Sequence, residues 1–303
     1  MKEPIVIRCP EFDEVMTFDN SSNIVNCYDR RAYGHPIDEK IINRLNSPAV
    51  NAALRPIVEV TADYFQGQVI APAIPVNEKS FPEINEIVED CVAKLGIKRP
   101  YVVVESSTGL NAYTVGSDDE PFIVIGATLI KVTTTQQLKF IIGHECGHIA
   151  MGHVMYHTLA SYATTLTELI PIIGKALNTA AGLLLNAWSR RSEITADRAG
   201  FLCCGDVEVA KRSLLQIEAG FADVKDIDIT TYLENSRRFR KRSFLRRVGE
   251  YTANHPMLSK RIEALDMFAS SQKYYRTVGK TPTPDAIPDA KLESDIEQLL
   301  KVM

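Results

Sequence analysis

Paired cysteines of the C-x-x-C kind are missing from this 303-residue sequence: Cys9, Cys27, Cys91, Cys146, Cys203 and Cys204 follow no regular framework. That absence counts against a disulfide scaffold and favours a reducing compartment. An apolar leader is missing as well. Arg8, Glu11, Asp13 and Glu14 interrupt the first residues, so export is not expected and a cytoplasmic location is. There is no excess of positive charge: the formal net charge of −4 argues against general affinity for nucleic acid. Nor does any apolar run pass uninterrupted through the roughly 20 residues of a membrane span. The nearest, 169–188, is broken by Lys175, Asn178, Thr179 and Asn186, with Pro171 and Gly174 in its first half. It reads as a packed soluble helix, with a surface that docks on a membrane or a partner as the second reading. No internal repeat is present. A hydrophobic content of 45% is ample for a core.

What is present is more specific. Ile142-Gly143-His144-Glu145-Cys146-Gly147-His148-Ile149 contains H-E-x-x-H. At about 100° per helical residue, two histidines four apart lie only about 40° apart, so both imidazoles can reach one cation. Glu145, one residue beyond the first histidine, is placed to hold a water on the metal without displacing it, as a zinc hydrolase requires. A helix is supported here. Thr134 and Gln137 resemble a capping box, and Leu138, Ile141, Ile142, Cys146 and Ile149 form an apolar stripe, which predicts a helix from about Thr134 to about His157. The four-letter pattern also occurs in unrelated proteins, where two such histidines are hydrogen-bonded core residues.

A third ligand has few sources. The other histidines are His35, His153, His157 and His255. On a continuous helix His153 would sit about 180° and His157 about 220° around from His144, so both read as a polar helix face pointing away from the metal. The pattern H-E-x-x-H-x-x-G-x-x-H fails, since position 154 is Val154. Downstream, Arg191-Ser192-Glu193-Ile194-Thr195-Ala196-Asp197-Arg198 places Glu193 and Asp197 on one helix face. A second helix packed on the first could supply a Glu193 carboxylate to the metal, while Asp197 accepts the outer N–H of a ligating histidine. Ala196, Ala199 and Gly200 are small enough for close approach. The alternative is a solvated charged turn held by local ion pairs.

H-E-x-G-H followed by E-x-x-A-D resembles the zinc metallopeptidases that include the HtpX heat-shock proteases and the CaaX prenyl proteases, of gluzincin type, most closely their soluble bacterial-type members. Asn111-Ala112-Tyr113 with Pro121-Phe122-Ile123-Val124 looks like the family's strands before the active helix, and His255-Pro256 with Arg261-Ile262 like its His-Pro segment. The resemblance covers roughly 81–268. It implies one Zn2+ per chain held by His144, His148 and Glu193, with Glu145 as general base and Asp197 behind the ligands. It also implies an edge strand, Asn111, Ala112, Tyr113, Thr114 and Val115, to which an extended peptide adds. His255, before a proline that favours extended backbone, would stabilise the developing oxyanion or else hold the metal inactive. Cys146 departs from the family's usual larger aliphatic residue. It reads as packing, although a thiol near zinc could compete as a ligand.

The expected fold is α+β and zincin-like, mainly helical, with a small mixed sheet of three to five strands ahead of the H-E-x-x-H helix. Helices are expected over 37–66 and 81–95, and strands at 68–76, 101–106, 111–115 and 121–126. The expected division is an N-terminal helical region (1–78), a catalytic domain (79–270), and a linker with a C-terminal helix (271–303). Seven cations in 237–247 read as a solvated helix that also packs, with anionic lipid, nucleic acid or an acidic substrate as the other readings. The function expected is a zinc-dependent endopeptidase acting on peptide or unfolded protein in protein quality control. The competing readings are a membrane-attached quality-control protease with peripheral membrane contact and a chaperone-like peptide-binding module with structural zinc. Oligomeric state is left open.

Overall fold

Four strands form a mixed sheet in the order β3 (Ile74–Pro75), β4 (Tyr101–Glu105), β6 (Pro121–Gly126), β5 (Ala112–Gly116). β4 runs parallel to β6, while β3 and β5 pair antiparallel with β4 and β6. The computed structural model describes residues 5–7, 16–18, 27–45, 67, 72–106, 108–161, 180–240 and 258–301. A separate antiparallel pair joins β1 (Ile5–Ile7) and β2 (Met16–Phe18). The remaining elements are helical: α1 (Arg30–Tyr33), α2 (Pro36–Leu45), α3 (Pro82–Leu95), α4 (Ala127–Val132), α5 (Thr135–Ala150), α6 (Val154–Ser161), α7 (Ala180–Cys204), α8 (Val207–Ala219), α9 (Ile229–Arg240), α10 (Leu258–Ala269), α11 (Gln272–Thr277) and α12 (Asp289–Leu300). The described chain is thus mostly helical with a small mixed sheet, the α+β class expected.

Val102, Val104, Ile123 and Ile125 join the main core, whereas Val103, Phe122 and Val124 pack with Val115 in a second cluster. Because successive side chains point to opposite faces, burial of both faces accounts for continuous apolar strands instead of alternating ones. α3 places Ile84, Ile87, Val88, Cys91, Val92 and Leu95 in the main core at helical spacing. Tyr33 from α1 and Leu292, Ile296 and Leu300 from α12 enter the same core.

Several expected boundaries change. The strand expected over 68–76 is described only at Ile74–Pro75. α2 ends at Leu45, and 46–66 lie outside the described residues. Of the 169–188 segment, 180–188 belong to α7 and 169–179 lie outside the described residues. The basic run enters α9 as far as Arg240, and its remainder also lies outside. No helix among the described residues is long and apolar enough to cross a membrane. The largest correction is the motif helix: it begins with the expected Thr134–Gln137 capping box but stops at Ala150, not His157. Gly152 follows with φ +68°, a left-handed conformation that glycine adopts without the Cβ penalty, and the chain turns into α6.

α12 is latched to the back of α7 by charge. Arg198 donates from Nη1 and Nη2 to the two carboxylate oxygens of Glu293 at 3.1 and 3.0 Å, and Arg191 donates to Glu297 at 2.8 Å twice. Lys273 Nζ donates to the same Glu293 at 2.8 Å. Burial alone would raise the Glu293 pKa, but Arg198 and Lys273 outweigh it and hold the carboxyl at about 2. A carboxylate depressed from 4.5 contributes stability that is complete above about pH 4.5 and lost as pH falls towards 2, here on the order of 3 kcal/mol. Glu293→Gln is expected to lower the melting temperature by several degrees at pH 7, with the gap to the parent narrowing between pH 4.5 and 2. Equal melting temperatures at pH 7 would rule the latch out as a source of stability.

Candidate active site

His144 and His148 project from α5 one turn apart, and their Nε2 atoms lie 3.2 Å from each other. Glu193, on α7, spans them: Oε2 is 3.5 Å from His144 Nε2 and Oε1 is 3.6 Å from His148 Nε2. Small residues make this possible. A Cβ on Gly147 would come within 2.6 Å of Ala199 Cβ, and one on Gly143 within 2.6 Å of Cys203 Cβ, so the two helices meet almost backbone to backbone. The expected close approach through Ala196, Ala199 and Gly200 is therefore present, and its counterpart on α5 is the glycine pair.

The outer faces of these groups are occupied. His144 Nδ1 lies 3.0 Å from Asp197 Oδ1, a contact that places the ring proton on Nδ1 and the lone pair on Nε2. Burial works against a charge on His144, but the Asp197 hydrogen bond and the charges of Glu193 and Asp197 prevail and raise its pKa. Arg261, from α10, donates to both Asp197 oxygens at 2.8 and 2.6 Å. It also reaches Glu218 at 2.6 Å and Glu193 at 3.1 Å. Burial disfavours its charge too, yet Asp197, Glu193 and Glu218 hold the guanidinium ionised.

Glu145, in the same cleft, is held from β5 instead. Thr114 Oγ1, on β5, donates to Glu145 Oε2 at 2.6 Å. Burial raises the Glu145 pKa, partly opposed by His144 and the Thr114 hydrogen bond. β5 ends the sheet order, so it is an edge among the described residues. Asn111, Ala112, Tyr113 and Thr114 line a cleft of about 620 Å³ that contains His144, Glu145, His148, Glu193 and Arg261. Val115 does not line it; it is buried in the second core cluster, against which Tyr113 also packs. Leu110, Phe140, Ile141, Leu214 and Ile217 give the cleft an apolar wall.

His153 and His157 are not on the far face where a continuous helix would put them. The turn at Gly152 swings both back: His157 lines the cleft with its ring centroid 4.4 Å from that of His148, and His153 Nδ1 lies 3.1 Å from His148 Nδ1. Cys146 is fully buried in the main core and burial pushes its thiol up, so it packs as expected. His255 lies outside the described residues. Sequence reasoning missed the roles of Thr114 and Arg261 in this network. Arg261 was visible only as part of the His-Pro segment, and Thr114 only as a strand residue.

An H-E-x-x-H pair faced by a buried glutamate, with a second carboxylate, Glu145, beside it in a cleft, is an arrangement suited to a metallohydrolase. The sequence model of peptidase family M48 matches residues 78–269, more than half of the chain. The plastoglobule-localized metallopeptidase 48 of Arabidopsis thaliana is 25% identical over 252 residues, covering 80% of this chain and 73% of its own. A protease HtpX homolog of Streptomyces coelicolor is 23% identical over 237 residues, covering 69% and 76%. The chain belongs to peptidase family M48 and is a metallopeptidase.

The glycine contact carries a direct test. Gly147→Val should overpack the interface by about 1–3 kcal/mol and push Glu193 away from the histidines. The melting temperature and the metal affinity are expected to fall together. A variant that keeps both would show that the glycine does not set the spacing.

Proposed function

We propose that the chain is a zinc-dependent endopeptidase of zincin-like fold, binding one Zn2+ through His144, His148 and Glu193. The single observation that carries this is the donor set: the Nε2 atoms of His144 and His148 lie 3.2 Å apart, and Glu193 places Oε2 3.5 Å from the first and Oε1 3.6 Å from the second. These separations are close to the roughly 3.4 Å between ligands about 2.05 Å from a tetrahedral zinc. Two imidazoles and a carboxylate are borderline-soft and hard donors that suit zinc and leave a position for substrate or water. When bound, the ion supplies Lewis-acid polarisation of the scissile carbonyl and acidifies water.

The chain's own residues do the rest. Glu145 takes the proton of the attacking water and returns it to the leaving nitrogen, with Thr114 fixing the carboxylate through Oε2. Asp197 fixes the tautomer of His144, and Arg261 holds Asp197 and Glu193 in place while offsetting their charge. The edge of β5, which has no strand partner on that side among the described residues, receives an extended peptide or unfolded segment by main-chain hydrogen bonds, which favours substrates by accessibility over sequence. The wall of Phe140, Ile141, Leu214 and Ile217 accommodates an apolar side chain next to the scissile bond. Tolerance of unfolded chains supports a role in protein quality control in a reducing, cytoplasmic setting. His255 keeps its proposed part in oxyanion stabilisation or self-inhibition on the strength of its sequence context. A chaperone-like module with structural zinc is the weaker reading, since Glu145 opens onto the cleft beside the metal ligands.

Glu145→Gln is expected to retain one zinc per chain while peptide hydrolysis falls about 10²–10⁴-fold. Glu193→Ala should instead weaken zinc binding itself. Metal analysis alongside cleavage of an internally quenched peptide separates the two. Loss of zinc in the first variant, or parent-like zinc binding in the second, would contradict the assignment.

A further inference from the structure

His148 is supported differently from His144. Its Nδ1 meets not a carboxylate but another imidazole, His153 Nδ1, at 3.1 Å. Beyond it, His153 Nε2 lies 3.0 Å from Asp38 Oδ2 in a bent contact. Asp38 is on α2, well ahead of the family-matched region. Its carboxylate accepts from Thr195 Oγ1 at 2.7 Å and from Trp188 Nε1 at 2.8 Å, both on α7. His153, Asp38 and Thr195 have no exposed surface, and the Trp188 ring stands edge-on to His153 with centroids 5.3 Å apart.

The geometry points to His153 as a positioning residue for the metal centre, accepting the Nδ1–H of His148 and held in that role by Asp38. The inference rests on the zinc reading above. Two facing nitrogens 3.1 Å apart share one N–H. If His148 presents its Nε2 lone pair to a metal, its proton is on Nδ1 and His153 Nδ1 must be bare. The His153 proton is then on Nε2, beside Asp38, and an ionised carboxylate can only accept. Asp38 thereby selects one tautomer of His153, which selects the metal-binding tautomer of His148. His144 has the same device one residue shorter, in Asp197. The turn at Gly152 is what makes the longer arm fit, since it brings His153 N to donate to His148 O at 2.9 Å and sets the two rings 5.4 Å apart at a tilt of 59°. A second metal held by His148, His153 and His157, whose candidate donor atoms lie within 4.8 Å of one another, is the competing use of this cluster, and the zinc count separates the two.

The test uses the full chain loaded with zinc. Affinity is read by competition with a chromophoric chelator, and histidine tautomers by long-range ¹H–¹⁵N correlation spectra. His153→Phe, which keeps the ring and loses the acceptor, should weaken zinc binding about 10–100-fold. His153→Asn, whose Oδ1 can stand where Nδ1 was, should recover much of that loss. Asp38→Asn should also weaken binding, because its amide can donate to Nε2 and favour the wrong tautomer. The parent spectrum should show His153 protonated on Nε2 alone. Parent-like affinity in both His153→Phe and Asp38→Asn overturns the proposal, as does a His153 protonated on Nδ1, or a second zinc per chain that His153→Phe removes. Should the variants fail to fold, the parent spectrum decides alone. A parent that takes up no zinc defeats the metal reading and this inference with it, whereas a zinc-binding parent with indifferent variants defeats only this inference.

Discussion

The near-contact of α5 and α7 is the constraint on which the rest of the site depends. Side chains of ordinary size between two helices hold their axes about 8–10 Å apart. Here Gly143, Gly147 and Gly200 remove that spacer, and each would clash if given a Cβ. The consequence is chemical as well as steric: Glu193, a short carboxylate arm, can reach both imidazoles of the motif only because its backbone is drawn this close. Ile142 and Cys146 on α5 face the core and fix the rotation of the helix that aims His144 and His148 at Glu193.

So compact an arrangement buries charge, and buried charge is costly unless compensated. Glu193, Asp197 and Arg261 are each almost without solvent exposure. The guanidinium settles the balance: its planar fork grips Asp197 with two hydrogen bonds while its third arm reaches Glu193 and Glu218. Removing Arg261 would leave two buried carboxylates, Asp197 and Glu193, without their shared cation, so the network depends on the guanidinium. Glu145 has a different partner, Thr114 on β5, and shares the cleft with the two histidines and Glu193.

α7 is a two-sided element. One face carries Glu193 and Asp197 towards the histidines; the other carries Arg191 and Arg198 towards α12, while Trp188 and Thr195 meet Asp38 on α2. Segments from both ends of the described chain therefore brace the helix that completes the site. Tyr33 and Leu292 share its core, so packing and charge act in the same direction.

Local pattern determined a good part of this protein. The capping box at Thr134, the strand runs around Val103 and Ile123, the α3 stripe and the pairing of Glu193 with Asp197 all depend on spacings of two, three or four residues, which sequence displays directly. The H-E-x-x-H geometry was legible for the same reason. What the sequence could not display was anything set by a change of direction or by partners far apart in the chain. A helix continued through Gly152 sends His153 and His157 away from His148, and only the left-handed turn there returns them. Asp38 meets His153 across 115 positions and Thr114 meets Glu145 across 31, distances over which no residue periodicity survives. Arg261 was legible as a residue but not as the cation between Asp197 and Glu193, because its partners are fixed by how α10 docks on α7. The sequence by itself thus determined the reactive groups and the helices that bear them, since both are short-range properties. Tertiary structure decided which outer groups orient those reactive groups, because that depends on backbone approach and on contacts between segments that only folding brings together.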